Sequence, residues 1–340
     1  MNLHSTLVTP GGYPADPVRA GRGTMRRMDS HHFREALREG RGLVLDGGLA
    51  TQLEAQGNDL SDRLWSARLL VEAPEEIVDA HLAFYRAGAQ VATTASYQAT
   101  FEGFAARGLD HEAAADLLRG SVELAARARS IALDEGVPEP LFVAASIGPY
   151  GAMLADGSEY RGGYGRTVEE LADFHRERFR VLAATGADVL AVETVPEIEE
   201  AQAVAVLLDE LPGTAAWISF SCGDGGHLRG GAPIEEAVLA ISDAPGVVAT
   251  GINCTAPEHV EELIARIRSV SSLPIAVYPN SGEGWDATAR RWTGTSAGRV
   301  DGDAAVRWRA AGALLIGGCC RVSPSQVGAM NQALAIAADG

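Results

Sequence analysis

Eight short apolar, β-branched runs, most of them separated by amphipathic helical stretches, predict a single (β/α)8 TIM-type barrel for this 340-residue chain. Two further observations point the same way. Several helical stretches end in a glycine just before the next apolar run: Ala87-Gly88-Ala89, Thr185-Gly186-Ala187 and Ala311-Gly312-Ala313. Glycine there is the residue that lets a helix turn into a strand. Polar and thiol side chains also collect where the apolar runs stop, and these barrels carry their chemistry at the C-terminal ends of the strands.

Residues 1–30 contain Pro10-Gly11-Gly12, Pro14, Pro17 and Gly21-Arg22-Gly23 without apolar periodicity. They are expected to form a disordered tail before a barrel domain over 31–340, with Met25 and Met28 as alternative starts. Strands are expected at 43–48, 91–97, 141–148, 189–194, 216–222, 247–254, 275–280 and 313–320. Helices are expected at 74–87, 111–135, 167–184, 197–210, 234–243, 257–269 and 303–311. The first of these opens on Pro74-Glu75-Glu76 and repeats apolar positions at Ile77, Ala80, Phe84 and Ala87. A doubly wound sheet would instead place a Gly-rich phosphate turn after the first strand, and Asp46-Gly47-Gly48-Leu49-Ala50-Thr51 is not that fingerprint.

Composition narrows the function. The formal charge of −17 repels phosphate backbones and anionic membranes, so neither nucleic acid nor a membrane is an expected partner. No apolar run approaches a membrane span, and the N-terminus lacks a signal-peptide core. With only four cysteines, which make no disulfide scaffold, a cytoplasmic location is expected. The chain contains no lysine, which excludes lysine Schiff-base, pyridoxal phosphate and P-loop chemistry.

Cys254 ends the sixth run, and Cys319-Cys320 ends the eighth. Neighbouring barrel strands would bring three thiols to one point, a set that suits Zn²⁺ and leaves a fourth coordination position open, as in catalytic sites. Inert buried cysteine, or a disulfide from Cys254 to one of the pair, are the other readings of the same residues. Asp46, Glu193, Asn253 and Asn280 also stand at strand ends. Cys222 ends the fifth run and reads as a small buried residue rather than a ligand.

The segments Gly251-Ile252-Asn253-Cys254 and Gly317-Gly318-Cys319-Cys320-Arg321 resemble the zinc motifs of the homocysteine S-methyltransferase family, and Asp46-Gly47-Gly48 resembles its opening strand. Asp62-Arg63-Leu64-Trp65-Ser66-Ala67, Thr94-Ala95-Ser96-Tyr97-Gln98-Ala99-Thr100 and Gly148-Pro149-Tyr150-Gly151-Ala152 are similar to members using S-methylmethionine. So are Ala155-Asp156-Gly157-Ser158-Glu159-Tyr160-Arg161-Gly162 and Tyr278-Pro279-Asn280-Ser281-Gly282-Glu283. The resemblance spans about residues 40–330. It implies Zn²⁺ as cofactor, Cys254, Cys319 and Cys320 as its ligands, and homocysteine sulfur as the fourth. It further implies that Asp46 and Glu193 hold the ammonium of homocysteine. Gly47, Ser96 and Asn253, inside the matching motifs, are expected in the substrate pocket, with Asn253 or water a candidate for the fourth position when no substrate is bound.

The residue types fit thiol methylation. The thiolate is the nucleophile, and coordination to Zn²⁺ deprotonates a thiol outright. Three thiolates neutralise the metal and leave the substrate sulfur electron-rich, so no general base is required. The eight histidines are accordingly scattered, with His31-His32 at the tail boundary and His227 in a glycine-rich loop. Trp65, Tyr97, Phe101 and Tyr150, on early loops, are expected to offer aromatic faces to a cationic sulfonium donor: S-methylmethionine, with S-adenosylmethionine as a slower one. Betaine-type and selenocysteine-type members, and a non-catalytic zinc-binding barrel, are the alternatives. A zinc hydrolase would use histidine and carboxylate ligands instead.

Overall fold

The computed structural model describes residues 30–60, 65–282, 284–286, 291–293 and 300–339. Residues 1–29 of the expected tail, with Met25 and Met28, residues 61–64 and Glu283 therefore lie outside the described residues, and Ser30, the last residue of the expected tail, is helical instead. The barrel wall is made by β1 Leu43–Val44, β2 Val91–Thr93, β3 Phe142–Ile147, β4 Val189–Val195, β5 Ala216–Phe220, β6 Val247–Asn253 and β7 Ile275–Tyr278. A separate antiparallel pair, β8 Gly284–Asp286 and β9 Arg291–Thr293, precedes the last wall strand, β10 Ala313–Ile316. The wall strands pair in parallel in the order β1-β10-β7-β6-β5-β4-β3-β2. A parallel bridge between Leu45 and Val91 closes the ring, so the fold is the (β/α)8 barrel the sequence predicts.

Side-chain alternation along each strand sorts residues between two cores. Val143, Ala145, Ile147, Leu190, Val192, Ile218 and Ile252 face the helices. Phe142, Ala144, Val189, Ala191, Trp217, Ala249 and Ala276 fill the barrel interior. Carrying the inward parity two residues further places Ser146, Glu193 and Ser219 at the top of the interior. Small alanines in the layer below leave room there.

The outer helices follow the expected positions: α4 Pro74–Arg86, α6 His111–Asp134, α8 Val168–Ala183, α9 Ile198–Glu210, α10 Ile234–Ser242, α11 Val260–Val270 and α12 Gly302–Ala311. Local chemistry sets their ends. Thr167 and Glu170 form a reciprocal capping box at the start of α8. Gly88 and Gly312 adopt positive φ after their helices, as expected. Gly186 does not; the Thr185 hydroxyl instead donates to the Leu182 carbonyl at 2.6 Å and finishes that helix with a side chain.

Further helices lie outside those expectations. Ser30–Arg38 forms α1, which includes His31 and His32. Its residues Phe33, Ala36 and Leu37 are buried beneath the barrel, with the Phe33 ring 5.2 Å from Phe142 in an edge contact and 6.1 Å from Trp217. This helix plugs the end of the barrel opposite the strand C-termini. The others are short helices after the early strands, α2 Leu49–Ala55, α3 Trp65–Glu72, α5 Phe101–Ala105 and α7 Tyr150–Leu154, and a terminal helix, α13 Pro324–Asp339. Among the described residues no helix is long and apolar enough to cross a membrane.

Candidate metal centre and substrate site

The three thiols meet because strand seven lies between the two strands that carry them. The consecutive carbonyls of Tyr278 and Pro279 accept from Cys254 N at 3.3 Å and Cys319 N at 2.8 Å. Ser281 N donates in turn to the Cys320 carbonyl at 3.1 Å. The Sγ atoms of Cys254, Cys319 and Cys320 all lie within 4.8 Å of one another, and those of Cys254 and Cys319 are 2.7 Å apart. Cys254 has φ +48°, and Thr194 and Arg321, at the neighbouring strand ends, have φ +66° and +67°. Left-handed backbone at non-glycine residues costs free energy and concentrates at functional sites.

Charge within the cluster is strongly coupled. Hydrogen bonds from Cys254 and Cys319 hold the Cys320 thiol well below its ordinary range. Hydrogen bonds to Cys254 and Cys320, together with burial, push Cys319 up. Cys254 gains from its bond with Cys319, but its bond to Cys320 and burial raise it overall. The group thus favours one anionic sulfur at a time unless a cation balances the others. Converging soft sulfur donors of this kind fit a thiophilic metal such as zinc. Cys222 stands apart, buried, its thiol pushed up to about 12 by burial.

Two buried carboxyls complete the mouth. Asp46 Oδ2 accepts from Thr93 N at 2.7 Å, and its Oδ1 accepts from the Thr93 hydroxyl at 3.0 Å. Burial lifts Asp46 to about 8; the Thr93 bonds pull against this, and the charge of Glu193 adds to it. Glu193 accepts a short hydrogen bond from the Ser146 hydroxyl. Burial lifts it to about 7, opposed by Ser146 and Tyr278 and reinforced by Cys320. Tyr278 is itself fixed, donating to Ser219 Oγ at 2.9 Å and accepting from Trp217 Nε1 at 3.0 Å. Both carboxyls are disposed to carry a proton when nothing cationic is present, and an ammonium would favour their ionised form.

The remaining expected residues divide. Tyr97 stands close enough to Cys254 and Glu193 for their charges to reach its hydroxyl. Asn253 is buried with its amide committed, Oδ1 accepting from Thr194 N at 2.7 Å and Nδ2 donating to Thr194 Oγ1 at 2.8 Å. It braces the left-handed Thr194 instead of offering a free atom to a fourth position. The Ser96 hydroxyl donates to the Ser146 carbonyl at 2.7 Å and so supports the residue that holds Glu193. Gly47 has a packing role, since a Cβ there would lie 2.5 Å from the Val322 carbonyl and 2.8 Å from the Phe84 ring.

Two of the four expected aromatics, Tyr150 and Phe101, pack against neighbouring side chains. Tyr150 packs edge-on against Phe174 at 5.0 Å and Tyr164 at 5.3 Å, with the Arg166 guanidinium 5.6 Å from its ring centroid. Phe101 stacks on His111 at 4.5 Å. Trp65 opens α3, and its side chain lies outside the described residues. Sequence reasoning missed Glu159 and Tyr160, on the short 3-10 turn Ser158–Tyr160; Tyr160 hydrogen-bonds Cys320, and Glu159 lies within reach of the Cys320 charge. It also missed a buried clamp beneath these loops. Arg178 donates to the Gly148 carbonyl at 2.6 Å and to His175 Nδ1 at 2.7 Å, and Glu200 Oε1 accepts from Tyr150 N at 2.6 Å and pairs with His175 Nε2 at 2.8 Å.

A closed parallel barrel that gathers three thiols and two buried carboxyls at its strand C-termini defines a class of barrels suited to a sulfur-bound metal and a cationic ligand. The family described as homocysteine S-methyltransferase matches residues 43–334. The chain is 50% identical over 293 residues to the homocysteine S-methyltransferase of Escherichia coli strain K12, covering 85% of this chain and 94% of that one. It is 45% identical over 330 residues to the selenocysteine Se-methyltransferase of Brassica oleracea var. italica, covering 92% of this chain and 94% of that one. The metallated form of the homocysteine methyltransferase MmuM from Escherichia coli superposes with a TM-score of 0.80 at 47% identity, over 88% of this chain and 99% of that chain. The chain belongs to the homocysteine S-methyltransferase family.

Proposed function

We propose that this protein transfers a methyl group from a cationic sulfonium donor, S-methylmethionine foremost, to the sulfur of homocysteine, giving methionine. The observation that carries this reading is the meeting of three thiols within 4.8 Å at the barrel mouth that also holds Asp46 and Glu193. Cys254, Cys319 and Cys320 would hold Zn²⁺, which when bound supplies the positive charge that keeps an incoming thiol deprotonated near neutral pH. Asp46 and Glu193, aimed by Thr93 and Ser146, receive the homocysteine ammonium and so orient its sulfur toward the cysteines. The homocysteine thiolate attacks the methyl carbon of the donor. A new S–C bond forms as the donor's C–S bond breaks, and that electron pair stays on the donor sulfur, which becomes a neutral thioether. With S-methylmethionine both products are methionine.

Tyr97, beside the thiols, and Trp65, at the start of α3, are the aromatic candidates for the donor side. A selenol would fit the same place as the thiol, and the likeness to a selenocysteine Se-methyltransferase supports selenocysteine as a second acceptor. The reading is tested by methyl transfer from S-methylmethionine, S-adenosylmethionine and betaine to homocysteine, before and after chelation and after zinc is restored. Zinc-dependent methionine formation, best with S-methylmethionine, is expected. Activity that survives full chelation, or a clear preference for betaine, contradicts it.

A further inference from the structure

Glu159 sits where the acceptor half of the site has no use for another acid. Its turn is held from both sides: Asp156 accepts from Ser158 N at 2.9 Å and from the Ser158 hydroxyl, and Ser221 Oγ donates to the Glu159 carbonyl at 3.3 Å. Arg161, the cation on the same turn, is directed to Asp156 at 3.5 Å and to the Asp156 carbonyl at 3.1 Å. Glu159 Oε2 is buried with no hydrogen-bond partner among the described residues. The Glu159 carboxyl feels the charges of Asp156 and Arg161 on its own turn, and it is also close enough to Cys320, Tyr97 and Tyr160 for their charges to act on one another.

Three cysteine thiolates and a fourth from the acceptor outweigh one metal dication. Asp46 and Glu193 together face a single ammonium. No cation of the acceptor half is left for Glu159; Arg161 acts on it only through its charge, and the buried Oε2 still lacks a hydrogen-bond partner among the described residues, which is costly for a carboxylate. The donor proposed above brings a cation that must approach the sulfur cluster to deliver its methyl.

We propose that Glu159 is the counter-charge for the sulfonium of the methyl donor, with the Tyr160 and Tyr97 rings as its apolar flanks, and so a specificity-determining residue for cationic donors. This rests on the transfer reaction proposed above. The donor sulfonium lies against the carboxylate before transfer; once the methyl leaves, the sulfur is neutral and the attraction ends, which favours release of the product thioether over the donor.

The test is calorimetric titration of S-methylmethionine, without homocysteine, into zinc-loaded wild type and the Glu159→Gln and Glu159→Asp variants. Titration of homocysteine, zinc content and a thermal melt accompany it. Glu159→Gln is expected to weaken S-methylmethionine binding at least about tenfold, with homocysteine affinity, zinc and melting unchanged. Glu159→Asp keeps the charge and is expected to retain most of the affinity. Donor affinity within twofold of wild type in Glu159→Gln, or an equal loss in both variants, overturns the assignment. Because binding is read without turnover, a wild type that binds the sulfonium through Glu159 but transfers no methyl would refute the proposed reaction separately.

Discussion

Cys254, Cys319, Cys320, Asp46 and Glu193 stand on barrel strands or just past their ends, and backbone hydrogen bonds that extend the strand ladder aim them. Glu159 and Tyr160 stand on a short turn well past β3, held by side-chain bonds of its own loop. The half of the site assigned to the acceptor is thus set by the barrel, and the half assigned to the donor by a loop. Strand-borne groups have positions dictated by pairing and parity, whereas loop-borne groups are free to vary without disturbing the barrel. Substitutions in the first half should destroy the reaction, and those in the second should change what it accepts.

The largest expected effect is loss of the thiols. Serine at Cys254, Cys319 or Cys320 should strip most of the zinc and reduce turnover to background, read by elemental analysis and methionine formation. Full zinc occupancy in Cys320→Ser would break the ligand assignment. Next come the carboxyls. Asp46→Asn and Glu193→Gln should keep zinc and weaken homocysteine by about 1.5–3 kcal/mol each, roughly one to two orders of magnitude. Unchanged affinity in both would move the ammonium elsewhere.

Acidity gives a smaller, signed effect. Burial raises Asp46 to about 8, so the ligand-free fold favours its protonated form. Its contribution to stability is full below the unfolded carboxyl value and is lost as pH rises through about 8. The slope in that window is at most about 1.4 kcal/mol per pH unit, and Asp46→Asn should flatten it in denaturant titrations. Homocysteine affinity should run the other way, rising with pH up to about 8 as Asp46 becomes available to the ammonium. A falling affinity across that range would contradict the assigned role.

On the loop side, Tyr150→Leu should cost about 1 kcal/mol of stability, through its contacts with Phe174 and Arg166, yet leave donor kcat/KM within about twofold. A selective loss of donor use would return Tyr150 to the donor site. The smallest effect is expected for a chain beginning at Met28, which should keep its melting temperature and activity; a drop of many degrees would mean that the preceding residues dock on the barrel.

Legibility followed the same division. All eight wall strands were readable because buried parallel strands are continuous apolar runs, and the thiols and acids were readable because those runs stop on them. Thr93 and Ser146 were not readable as partners of Asp46 and Glu193, since their role depends on the register between strands. Phe33, Ala36 and Leu37 carried a helical spacing, but nothing local to them shows that the barrel end is their partner. The packing of Tyr150 on Phe174 was not readable, because aromatic type and loop position do not tell a pocket wall from a ring packed against the next helix. Glu159 sat in a matching motif, and its unpartnered oxygen becomes visible only in three dimensions.

In the proposed reaction three thiols of the barrel hold a metal with one place left for the substrate sulfur. X-ray absorption at the zinc edge, recorded with and without homocysteine, tests it most directly. The expected spectrum is a shell dominated by three protein sulfurs that gains a fourth sulfur when homocysteine is added, and that gain should disappear with methionine in its place. A shell dominated by nitrogen or oxygen, or a sulfur count unchanged by homocysteine, would contradict it.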